Sequence, residues 1–238
     1  MAWPERNVLA FHWNPSMFEV PWQLQLFIAQ MGVSGVLWTA VYVLIIRAGA
    51  RDETCGMPFA ALCANLAWEF IFVFVFPHPW YQLPADVLWL TLDCIIAYQA
   101  VRYFRASFPL LDLKRFLAMF ALGLVTAGCA IGFIGHVFDD PDGVYAAFAQ
   151  NLMMSVLFVG WLVTRSGLPG QRLSIAVLKM LGTLAASSAF VTIALTDPDM
   201  QVRKAPLTPL LAFLFVATLV FDVIYVAGVW RRRSREGN

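Results

Sequence analysis

The stretch ALCANLAWEFIFVFVFPHPW, residues 61–80, decides how this chain is read. Apolar and aromatic side chains fill most of it, yet a glutamate, Glu69, stands in their midst, closely preceded by Asn65 and Trp68. An ionisable group in hydrocarbon is costly when charged and unpaired, so its presence inside such a run points to function. What surrounds Glu69 therefore has to be settled first.

The surroundings are those of a membrane protein. Of 238 residues, 61% are hydrophobic and only 13% charged, too little polar material to wet a soluble domain of this length. The apolar residues come in blocks of the length that crosses a bilayer as a helix. Their spacing predicts an all-α integral membrane protein, a seven-transmembrane-helix bundle forming a single membrane domain over residues 1–238. The expected spans are 22–46, 56–76, 84–104, 114–136, 144–164, 172–195 and 207–230. The connections are short and carry helix breakers, as in PHPWYQLP, DDPDG and RSGLPGQ. Residues 1–20 mix prolines, charges and aromatics, a pattern unlike a cleaved signal peptide.

Basic residues orient the bundle. Arg47 and Arg51, then Arg102, Arg105, Lys114 and Arg115, then Arg165 and Arg172, and finally Arg231, Arg232, Arg233 and Arg235 flank alternate connections and the last span. With seven spans all of them fall on one side, which the positive-inside rule makes cytoplasmic. The N-terminus is then outside and the C-terminus cytoplasmic. A formal net charge of +1 and the lack of a basic stripe give no footing for nucleic acid.

Few polar residues lie within the spans. Glu69 is in the second, Asp93 in the third, Gln150 and Asn151 in the fifth and Asp222 in the seventh. At a rise of about 1.5 Å per residue, Glu69, Asp93 and Asn151 lie roughly 10–14 Å from the outer ends, with Asp222 deeper. Asn65 and Glu69 are four apart, so amide and carboxyl can share a face; Asp222 and Tyr225 are three apart, as are Asp86 and Trp89. Buried carboxyls can also be protonated struts between helices, a reading that competes most closely at Asp93.

Other chemistries find little support. The turn DDPDG (Asp139, Asp140 and Asp142) has the wrong spacing for a metal-binding aspartate motif and reads as a solvated turn. His12, His78 and His136 are scattered, and no cysteine pair among Cys55, Cys63, Cys94 and Cys129 has ligand spacing, so no metal or other cofactor is expected. A retinal protein needs a lysine in the last span; the lysines are Lys114, Lys179 and Lys204, none of which lies there.

NLAWEF in the second span and FDVIYV in the last, backed by QNLMMS in the fifth, resemble the small transmembrane terpene cyclases of fungal meroterpenoid and indole-diterpene pathways, a family with bacterial relatives. The resemblance implies Glu69 and Asp222 as the catalytic acids, with protonation of a terminal epoxide or alkene on a prenylated aromatic or indole substrate. It also implies a multi-pass protein of the bacterial plasma membrane or endoplasmic reticulum. The residues fit this chemistry: an apolar surrounding favours a protonated carboxyl, and aromatic faces stabilise carbocations. Trp68, Trp89 and Tyr98 are candidate walls. The rival from another class is a proton-coupled transporter relaying protons through Glu69, Asp93 and Asp222.

Overall fold

The computed structural model describes residues 21–197 and 207–236. The opening segment read for a signal peptide, and residues 198–206 with Lys204, lie outside them. The elements are α1 (Trp22–Arg51), α2 (Phe59–Phe70) continued by a π-helical turn (Ile71–Val75), α3 (Leu83–Arg102), the single turn α4 (Phe104–Ser107), α5 (Leu113–Val137), α6 (Val144–Thr164), α7 (Leu173–Thr196) and α8 (Pro209–Glu236). Backbone amides have no water partners in hydrocarbon, so apolar runs without breakers become continuous helices.

The ends are set locally. Pro58 precedes α2 and Pro84 lies in the first turn of α3, where a missing N–H costs no helical hydrogen bond. Asp112 caps α5 by accepting from the Arg115 amide at 2.8 Å. α1 and α8 run past their expected ends to Arg51 and Glu236, because long basic side chains let a helix continue into the interface.

Six of these helices are long and apolar enough to cross a membrane: α1, α3, α5, α6, α7 and α8. The apolar helix Phe59–Val75, which carries Glu69, is shorter. α1 packs along α7, α7 against α8, α8 along α6, α6 against α2, α2 against α3 and α3 against α1. That closes a ring of six. α5 leans on its outside and buries only Phe116, Ile131 and Gly135. Large apolar side chains such as Val36, Phe74, Phe133, Val163 and Phe213 cover the outer faces, as a lipid-facing surface requires.

Hydrogen bonds sort the connections into two ends. At one end Arg172 clasps Asp52 through paired bonds of 2.9 Å, Arg165 reaches Ser107 at 3.2 Å, and Arg232 donates to the carbonyls of Arg165 and Gly167. The Gly170 amide also donates to Asp52 at 2.7 Å, and the Arg172 guanidinium holds the Asp52 carboxyl below its usual value. At the other end Trp68 Nε1 donates to the Gly143 carbonyl at 3.1 Å, and His78 Nε2 lies 3.0 Å from that of Asp142. Phe59–Val75 thus runs from the basic end to the other.

Candidate active site

A cavity opens inside the ring, walled by α1, α2, α3, α6 and α7. Trp38 and Tyr42 come from α1, Asn65, Trp68 and Glu69 from α2, Trp89 from α3, Phe148, Gln150 and Asn151 from α6, and Phe190 from α7. Six sequence candidates therefore meet here: Asn65, Trp68, Glu69, Trp89, Gln150 and Asn151. Glu69 sits two residues before the π-helical turn Ile71–Val75, a helix defect that is frequent at functional sites. The turn carries the chain into the connection that roofs the cavity.

Three of the wall's polar groups join Asp93, which lies behind them, in a cluster that crosses three helices. The Tyr42 hydroxyl lies 3.2 Å from Glu69 Oε1 and 3.2 Å from Asp93 Oδ2, and it accepts a hydrogen bond from Asn65 Nδ2 at 2.8 Å. Asn65 was expected to meet Glu69 along its own helix; its amide instead turns across to α1, where a hydroxyl can accept from it. Asp93 is fully buried and does not line the cavity, whereas Glu69, 3% exposed, does. Among the described residues no donor meets Glu69 Oε2 or Asp93 Oδ1 in hydrogen-bond geometry, and the two carboxyl groups also interact directly with each other.

Asp222 is elsewhere. Its Oδ1 accepts from Lys179 Nζ at 2.6 Å, and the same ammonium donates to Ser155 Oγ at 2.6 Å. Ser155 in turn donates to the Asn151 carbonyl at 2.8 Å, and Lys179 Nζ lies 5.8 Å from the centre of the Trp38 ring. The pair backs two cavity-wall residues without reaching the cavity itself. Tyr225, one helical turn on, donates to Gln171 Oε1 and stacks on Phe158. Tyr98 is 63% exposed on the outer face of α3 and takes no part in the wall.

The rim is built from the two connections at this end. His78 Nδ1 lies 2.7 Å from Asp86 Oδ2, Gln82 donates to Asp86 Oδ1 at 2.8 Å, and the His78 ring stacks on Phe72. In the turn expected to be solvated, Asp140 is buried and accepts from the Val144 and Tyr145 amides at the start of α6. Burial pushes its carboxyl up, against the pull of those amides. Gly143 adopts φ 63°, and a Cβ there would run into the Phe72 ring and Trp68 Nε1. Among the described residues no group of three or more His, Cys, Asp or Glu could hold a metal ion.

Sequence reasoning missed Tyr42 and Lys179. Tyr42 left no signal, since an aromatic in an apolar helix reads as packing. Lys179 did leave one: a lone cation deep in a span demands a counter-ion, and Asp222 was within the inventory.

A ring of membrane helices around an aromatic cavity with a buried acid on its wall has the form of a polytopic enzyme for an apolar substrate. The chain belongs to the Pyr4-like transmembrane terpene cyclases, whose family model matches residues 9–234. It is 30% identical over 197 residues to the Pyr4-family terpene cyclase mfmH of Annulohypoxylon moriforme, covering 81% of this chain and 80% of that one. Terpene cyclase macJ of Penicillium terrestre is 26% identical over 82% of this chain and 77% of its own. Terpene cyclase andB of Emericella variicolor is 25% identical over 85% and 87%. No solved structure matches. The protein is thus an integral membrane enzyme of terpene cyclisation, which decides between the cyclase and the transporter.

Proposed function

We propose that the cyclisation begins when Glu69 protonates the terminal epoxide or alkene of a prenylated aromatic or indole substrate held in the cavity. One observation carries this reading: Glu69 is the intramembrane carboxyl that reaches the cavity wall. Asp93 is screened behind it, and Asp222 is tied to an ammonium. Proton donation needs a neutral acid within reach of the reacting atom, and among the described residues Glu69 has no cation beside it to hold it as a carboxylate.

Trp38, Trp68, Trp89 and Phe148 line the same space, where aromatic rings stabilise a migrating positive charge and keep water from ending the reaction early. Gln150 and Asn151 on α6 provide polar contacts for the head group. Asp222 serves on this reading as the counter-ion that holds Lys179 and, through Ser155, the α6 wall. We further propose that Phe59–Val75 completes a seven-span arrangement with the basic end cytoplasmic.

The test is purified protein in detergent given farnesylated phenols and indoles, each with and without a terminal epoxide. The expected product is an isomer of equal mass, with no diphosphate released. Glu69→Gln keeps the shape and polarity of the side chain but has no proton to give, and it should lower turnover by about 10²-fold or more while accumulating normally. Full activity in that variant would remove Glu69 from the role.

A further inference from the structure

Tyr42 holds the clue to what happens after the first proton leaves. Its hydroxyl has one proton to donate but lies 3.2 Å from a carboxyl oxygen on each side, with Asn65 already donating to it. It can donate to only one of the two carboxyls. The other contact is a hydrogen bond when that carboxyl carries a proton and donates back to the tyrosine oxygen. The arrangement is therefore a chain of transferable protons from Asp93, which is fully buried, to Glu69, which faces the cavity. Among the described residues neither carboxyl has an ion-pair partner.

We infer that Asp93, Tyr42 and Glu69 form a proton relay that moves the conjugate base away from the carbocation once Glu69 has protonated the substrate. This rests on the assignment of Glu69 as the acid. Glu69 gives the proton on Oε2 to the terminal carbon or epoxide oxygen. The Tyr42 hydroxyl proton passes to Glu69 Oε1, and the Asp93 proton passes from Oδ2 to the Tyr42 oxygen. The negative charge then rests on Asp93, behind the wall.

The physical need is plain. A Glu69 carboxylate beside the new cation would take the proton back or bond to the cation, and the cyclisation would stop at its first intermediate. With Glu69 reprotonated, the cation is free to run through the ring closures. The closing deprotonation reverses the relay. The substrate C–H proton goes to Glu69 Oε2, the Oε1 proton returns to Tyr42, and the Tyr42 proton returns to Asp93. Protons and charge balance, and the product is an isomer of the substrate. Asp93 acts through Tyr42 and never meets the substrate.

Two measurements test this on full-length protein in detergent. The first is infrared spectroscopy of the carboxylic C=O stretch without substrate, in wild type, Glu69→Gln, Asp93→Asn and Tyr42→Phe. Protonated-carboxyl absorption should be lost in part from both acid variants and shifted in Tyr42→Phe. An unshifted band in Tyr42→Phe overturns the relay.

The second is turnover of a farnesylated phenol bearing a terminal epoxide. Asp93→Asn and Tyr42→Phe should each lower kcat about 10–100-fold with KM near wild type, and the double variant should be no worse than either, since they act as a unit. Early-terminated rings should accumulate, and the rate in H2O–D2O mixtures should change from a bowed to a linear dependence. Additive losses, or an unchanged product profile and isotope response, would sink the proposal. Tyr42→Phe keeps the ring against Trp38 and so separates these effects from misfolding. If wild-type protein turns over no member of the panel, the Glu69 assignment fails, and the infrared shift alone decides whether the protons are shared.

Discussion

Lys179 Nζ and Asp222 Oδ1 lie 2.6 Å apart with both side chains buried, joining α7 to α8 behind the cavity. A carboxylate and an ammonium at this separation inside hydrocarbon stabilise each other. Removing either leaves an uncompensated charge, at a cost of about 3–5 kcal/mol. Asp222→Asn and Lys179→Met should therefore each reduce membrane accumulation and the unfolding midpoint. The double substitution Lys179→Met with Asp222→Leu removes both charges, and it should recover much of the stability and retain measurable cyclisation. A stable but wholly inactive double variant would return a chemical role to Asp222.

Gly143 should be intolerant of a side chain. Its φ of 63° already disfavours an L-residue, and the added Cβ would collide with Phe72 and press on Trp68 Nε1 at 2.9 Å. The backbone strain alone costs about 1–3 kcal/mol. Gly143→Ala should lower the unfolding midpoint and raise KM, because the rim it disturbs borders the cavity. Gly128→Ala, where a Cβ meets nothing within 4 Å, is the control and should change neither.

The clasp between Asp52 and Arg172 predicts a pH dependence. Hydrogen bonding to Arg172 lowers the folded-state value of Asp52, so the unfolded chain binds the proton first as pH falls. The stabilisation is present above the ordinary aspartate value and is lost as pH drops through the lowered one. The difference in unfolding midpoint between wild type and Asp52→Asn should stay level from neutral pH to the ordinary carboxylate range and shrink below it. A difference that widens on acidification would contradict the clasp.

The arrangement of the ends predicts topology. A reporter fused after Arg235 should read cytoplasmic, and an Asp139→Cys variant should react with an impermeant thiol reagent from the opposite side. Labelling of a Glu53→Cys variant from the same side as Asp139→Cys would break the seven-span proposal, and an external C-terminus would overturn the charge-based orientation.

The apolar blocks and the alternation of arginine-rich connections determined a polytopic helical bundle from the sequence alone, because bilayer thickness sets helix length and backbone satisfaction forbids irregular chain in hydrocarbon. The sequence also placed Glu69 within a span, and the pattern around it with FDVIYV pointed to the family. The tertiary structure decided which polar side chains meet. Asn65 turned to Tyr42, Asp222 found Lys179, and Tyr98 faced outward. Helical periodicity says which residues share a face of one helix but not which way that face points. In a soluble protein the apolar stripe would show it. Here lipid is as apolar as the core, so the inward and lipid-facing surfaces of α3 or α8 look alike in sequence. The rotation and offset of each helix come instead from the packing of all its neighbours at once, and that packing chose the partners of each buried charge.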